Sequence, residues 1–142
     1  MFSNPPPAQI AALLRAARII AVVGLSPDTT RPSHGVARAL QRFGYRVIPV
    51  NPAVESVLGE PAVPDLAQLP EVLGRDERVD IVDVFRRPQH VAAIVADCIR
   101  LGLPALWLQE GVVDAESAPR AVAAGIFTVM GRCIYKERAA LR

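Results

Sequence analysis

Three observations in the chain predict an α/β domain with a mostly parallel sheet covered by helices on both faces. Ile19 to Val23 is an unbroken apolar run rich in β-branched residues, as a strand buried on both faces requires. Four further short apolar runs follow, separated by stretches that carry apolar residues at helical spacing or by irregular chain. The apolar content is mostly Ala, Val, Leu and Ile, with only 5% aromatics, which suits packed strands and covering helices. At 142 residues, 51% hydrophobic and 21% charged, the chain fits one globular domain with a sizeable core.

Residues 1–17 read as a helical lead-in packed on the domain, which itself spans 18–142. A proline cluster opens it, and Ile10, Leu13 and Leu14 then recur at helical spacing. Ile19 to Val23 is the first strand, closed by Gly24. A polar loop follows, and Val36, Leu40 and Phe43 mark a helix running up to Gly44. Arg46 to Val50 is the second strand. Pro49 removes a ladder donor from it, so imperfect pairing is expected at that position. From Ala53 to Asp76 the pattern is irregular, cut by Pro61, Pro64 and Pro70, with a helical turn or two expected within Leu66–Leu73. Val79 to Phe85 is the third strand.

Pro88 opens the next helix. Val91, Ile94, Val95 and Cys98 form its buried stripe and Gly102 ends it, so Cys98 reads as an inert core residue. Ala105 to Leu108 is the fourth strand. Asp114 is placed to cap a helix carrying Ala118, Ala121 and Val122 as far as Gly125. Ile126 to Met130 is the fifth strand, and a polar tail ends the chain. Right-handed crossovers then give a single Rossmann-like, doubly wound domain with five strands in the order 3-2-1-4-5, counted along the chain.

Several function classes are excluded at this level. A formal net charge of +2 with no aromatic-rich basic stripe gives no footprint for nucleic acid. Apolar runs break well before a membrane-spanning length, and Met1 to Pro7 lack the pattern of a signal peptide, so a cytoplasmic protein is expected. Cys98, Cys133, His34 and His90 have no metal-ligand spacing. The loop after Gly24 contains neither G-x-G-x-x-G nor G-K-[ST], and the second strand ends in Asn51-Pro52 where an NAD-binding unit usually has an acid. No serine, histidine and acid fall into an obvious triad order with a nucleophile elbow, and no catalytic residue is assigned.

In a parallel sheet the carboxyl ends of all strands lie on one edge, where ligands bind near helix N-termini. Those ends are Gly24-Leu25-Ser26, Asn51-Pro52, Phe85-Arg86-Arg87, Gln109-Glu110-Gly111 and Gly131-Arg132-Cys133. The loop after Gly24 adds Arg31 and Ser33. Arginines at 31, 86 and 132 on one edge make a polyanion site, because guanidinium forks match phosphate oxygens. The candidate ligand-binding residues are therefore Gly24, Leu25, Ser26, Arg31, Ser33, Asn51, Pro52, Phe85, Arg86, Gln109, Gly111, Arg132 and Cys133.

These same stretches resemble the small stand-alone CoA-binding proteins, relatives of the N-terminal CoA-binding domain in the α subunit of succinyl-CoA synthetase. The resemblance rests on Val22-Val-Gly-Leu-Ser26 with Arg31-Pro-Ser33, Gly44-Tyr-Arg-Val-Ile-Pro-Val-Asn-Pro52, Val57-Leu-Gly-Glu60, Val79 to Arg86, Leu106-Trp-Leu-Gln-Glu-Gly111 and Arg132-Cys133. It implies a Rossmann-like domain holding coenzyme A across the carboxyl edge. The Gly24 loop would meet the phosphates, with Asn51-Pro52 and Phe85-Arg86 around the nucleotide and pantetheine. The family commonly has aspartate where this chain has Gly131. The synthetase's phosphohistidine and second domain have no counterpart, so ligase activity is not implied. The expectation is a non-catalytic CoA or acyl-CoA binding protein, with a homodimer or a further protein partner left open. Its rivals are a partner-dependent subunit of an acyl-CoA-handling enzyme and, more remotely, an NAD- or ATP-binding module.

Overall fold

A computed structural model describes residues 1–141; Arg142, the last residue of the expected domain, lies outside the described residues. The chain runs α1 (Pro7–Ala16), β1 (Ile19–Val23), α2 (Pro32–Arg42), β2 (Arg46–Val50), a small hairpin of β3 (Ser56–Val57) and β4 (Glu60–Pro61), β5 (Ile81–Val84), α3 (Val91–Leu101), β6 (Ala105–Leu108), α4 (Ser117–Ala123), β7 (Phe127–Met130) and α5 (Ile134–Ala139). A 3-10 turn at Leu66–Glu71 falls within the irregular stretch, and another at Pro88–His90 precedes α3.

β2, β1, β5, β6 and β7 form one fully parallel sheet, neighbours in that order. Counting the five main strands along the chain, the order is 2-1-3-4-5 and not the expected 3-2-1-4-5. Pro49 supplies the physical reason. Its carbonyl points away from β1 and accepts the Val63 N–H at 3.0 Å, so the side of the strand that lacks an N–H is the outer one. Pairing with β1 is therefore unbroken from Ile19↔Arg46 to Val23↔Val50, and the imperfect pairing expected at Pro49 does not occur. A strand with proline on its outer side suits a sheet edge. Val63 takes that edge through a single bridge to Val50, and the third strand crosses to the free side of β1.

The two faces of the sheet bury separate apolar clusters. Val82, Val84, Leu106 and Leu108 face α3 and α4, with Val95, Cys98 and Ala121 packed on them. Ile20, Val22, Ile81 and Trp107 face the other way, beneath Leu14 of α1, Leu40 of α2 and Ile134 of α5. Gly102 closes α3 in the left-handed region, φ 67°, while the next N–H, of Leu103, returns to the Cys98 carbonyl at 3.0 Å. Cys98 lies in the core as expected; burial, with the charge of Asp97, pushes its thiol up to about 12.

Three local findings complete the frame. The expected polar tail is instead α5, anchored by the buried Ile134. Asp114 opens α4 as expected: its carboxylate accepts the N–H groups of Glu116 and Ser117 and the Ser117 hydroxyl, bonds that hold it below the usual carboxylate range. Ahead of α1, the Asn4 side-chain amide donates to the Met130 carbonyl at 3.1 Å and accepts the Met130 N–H at 2.8 Å, filling part of the outer edge of β7.

Candidate ligand site

Gly24 ends β1 by donating its N–H to the Val50 carbonyl at 2.9 Å and turning with φ 83°. A Cβ there would stand 2.5 Å from the Phe85 carbonyl oxygen, so only glycine lets the two strand ends approach this closely. The following loop is built from its own polar groups. Ser26 donates its N–H to the Ser33 hydroxyl at 3.0 Å, and Asp28 donates its N–H to the Ser26 hydroxyl at 3.0 Å. The Thr30 hydroxyl and N–H both donate to Asp28, and these bonds keep its carboxyl below the usual range. His34 is buried, and its Nδ1 donates to the Ser26 carbonyl at 3.0 Å, which assigns the proton to that nitrogen. Its other ring nitrogen, Nε2, is then the unprotonated one and has no hydrogen-bond partner among the described residues.

α2 begins at Pro32 with Arg31 in the cap position, and no side chain caps its first turn. Pro32 has no N–H and the His34 N–H is taken by the Arg31 carbonyl at 3.1 Å, so the helix start offers an anion the Ser33 N–H and the positive end of the helix dipole. The helix start borders a cavity of about 1410 Å³ at the carboxyl ends of β1, β5 and β6, which continues between α2 and α5. Among the described residues, no carboxylate lies within ion-pair distance of its Arg31, Arg38, Arg42, Arg86 or Arg87. At the opposite wall Lys136 is paired with Glu110 at 3.2 Å. Unpaired guanidiniums around an uncapped helix start make a receptor for phosphates. Among the described residues no three His, Cys, Asp or Glu side chains gather as metal ligands.

Nine of the residues expected at the site line this one cavity: Gly24, Ser26, Arg31, Ser33, Phe85, Arg86, Gln109, Gly111 and Cys133. The other four lie elsewhere. Leu25 is fully buried in the core below the loop. Asn51 is spent on the backbone, donating to the Leu25 carbonyl at 3.0 Å and accepting the Ala53 N–H at 2.8 Å. Pro52 lines a separate cavity of about 190 Å³, which shares Arg86 and His90 with the large one. Arg132 lies outside both cavities and pairs with Glu137 at 3.1 Å.

Two features were missed in the sequence. Arg38 and Arg42 line the cavity on the same helix face as Arg31, and their spacing of seven and four residues was the readable signal. Tyr135 and Lys136 line it from α5, an element read as tail. Gln109 does more than line the wall: its side-chain carbonyl accepts the Ile134 N–H at 3.0 Å and so starts that helix.

The family described as CoA binding domain matches residues 18–139. The protein YneT of Bacillus subtilis (strain 168) is 37% identical over 131 residues, which span 92% of this chain and 93% of that protein. A solved structure from Thermus thermophilus is 36% identical, covers 95% of this chain and 98% of its own, and superposes with a TM-score of 0.86. An ADP-forming acetate–CoA ligase of Archaeoglobus fulgidus is 28% identical over 83 residues, 58% of this chain but only 11% of the ligase.

Proposed function

Because this chain belongs to the CoA-binding domain family, we propose that it is a non-catalytic protein that binds coenzyme A or an acyl-CoA at the carboxyl edge of its sheet. The observation that carries this reading is the uncapped start of α2, which opens into the large cavity beside Gly24, Arg31 and Arg86. The ligand's diphosphate meets the Ser33 N–H and the guanidiniums of Arg31 and Arg86, and the pantetheine passes toward Gln109 and Cys133. NAD fits less well, because the Asn51 amide at the end of β2 is already bonded to backbone and leaves no acid for the ribose hydroxyls. Two free, buried cysteines suit a reducing compartment, which favours a cytoplasmic setting.

Calorimetric titration with CoA and with NAD tests the reading. CoA is expected to bind and NAD not. Arg31→Glu should weaken CoA by at least roughly tenfold to hundredfold, the loss that follows from one charge-assisted bond. NAD binding without CoA binding overturns the reading. A second reading draws on the similarity to the ligase: a subunit whose catalytic groups come from another chain. Acyl-CoA turnover by the protein together with a co-purified partner, and none by the chain alone, would favour it.

A further inference from the structure

Past the strand edge the cavity runs on along α2, where it carries chemistry that the phosphate site just described does not use. Arg38 and Arg42 stand on its wall, one helical turn apart and both exposed. Outside the cavity, Arg46, Arg100 and Arg132 each hold a carboxylate at 2.7 to 3.1 Å. Arg38 and Arg42 have none among the described residues. The helix surface beside them includes the small residues Gly35 and Ala39, and a Cβ at Gly35 would meet no atom within 4 Å. Room therefore remains for a ligand beside the two guanidiniums. On the far wall Lys136 is engaged by Glu110, and Phe43 lines the cavity at the end of α2, its ring centroid 6.1 Å from that of Tyr135.

At the 1.5 Å rise of a helix, Arg38 and Arg42 lie about 10 and 16 Å along the axis from Arg31. One phosphate at the helix start does not serve all three. Resting on the CoA reading, we propose that Arg38 and Arg42 form a second anion subsite, which takes a further phosphate or carboxylate on the same ligand and makes the protein select for ligands that carry one. Two anions of this chemistry occur in CoA thioesters: the phosphate monoester on the ribose, and the carboxylate that ends a dicarboxylic acyl chain. Both match the planar fork of a guanidinium.

The test is titration of the wild-type protein and the Arg38→Ala/Arg42→Ala variant with CoA, 3′-dephospho-CoA, acetyl-CoA and succinyl-CoA. The buffer is held at about 0.15 M salt, where loose surface attraction is screened beyond about 8 Å. The variant should lose roughly tenfold to hundredfold affinity for the probe that bears the recognised anion and keep its affinity for the partner probe without it. CoA falling to the level of 3′-dephospho-CoA identifies the ribose phosphate. Succinyl-CoA falling to the level of acetyl-CoA identifies the acyl carboxylate. Equal losses for all four probes, or no loss, overturn the subsite and leave the CoA reading standing. A wild-type protein that binds none of the four overturns the CoA reading itself. Matching melting curves of the two proteins establish that the variant is folded.

Discussion

Asp83 is the residue whose setting departs furthest from what its chemistry prefers. It sits in β5 between Val22 and Trp107 of the neighbouring strands, fully buried, and neither carboxyl oxygen has a hydrogen-bond partner. Burial pushes its carboxyl well above the ordinary range, so the fold keeps a proton that the unfolded chain has lost. Between the ordinary value near 3.8 and the raised native one, the unfolded state binds fewer protons, so stability falls as pH rises. The penalty vanishes below that window. Asp83→Asn should flatten the decline, which has a slope of at most about 1.4 kcal/mol per pH unit for one group. Urea unfolding of both proteins between pH 5 and pH 8 reads this out, and parallel curves would contradict it. The carboxylates held low, Asp28, Glu77 and Asp114, act in the opposite sense and only as pH falls toward their own range. At this scale the sequence was legible where a residue type is rare for a steric reason, as at Gly24. It was less legible at Asn51, whose amide suits a ligand and a backbone equally well; only the distances to Leu25 and Ala53 decide.

Among the elements, α5 was the hardest to read, because its six residues offer one buried apolar anchor, Ile134, and no repeating stripe. Its position comes from contacts distant in sequence. Gln109 accepts its first N–H, and Arg138 places its guanidinium 4.7 Å from the Phe43 ring centroid while donating Nε–H to the Tyr45 hydroxyl at 3.0 Å. That hydroxyl in turn donates to the Leu14 carbonyl, so one arginine ties α5 to α1 and to the end of α2. Arg138→Ala should cost about 1 to 2 kcal/mol, combining a half-buried cation–π contact with a lost hydrogen bond. Amide exchange over 134–139 should quicken with it, and unchanged exchange there would show that the helix is held by Ile134 and Gln109 alone. β2 carries the opposite lesson. Its boundaries are plain from Arg46 to Val50, but right-handed crossovers alone leave open on which side of β1 the third strand lies; the side of Pro49 that lacks a donor decides it.

For the molecule as a whole, alternation of strand and helix was enough to name the architecture, and the strand ends supplied one side of the cavity. Its extension between α2 and α5 was not legible, since it depends on a helix docked from the far end of the chain. A ligand seated there stabilises the entire fold by mass action. CoA at a hundred times its dissociation constant should add about 2.7 kcal/mol, seen as a higher melting temperature, while NAD at the same concentration should leave it unchanged.

The margins of the sheet have a consequence for crowding. On one side Pro49 withholds a donor and Val63 occupies the rung beside it; on the other, Asn4 takes both backbone groups of Met130 and the Thr128 hydroxyl takes the Ile126 carbonyl at 2.9 Å. Among the described residues, no long row of vacant donors and acceptors is left for a neighbour to copy. Collisions between molecules at high concentration therefore terminate instead of propagating, and overloading the solution should yield amorphous particles rather than ordered fibres.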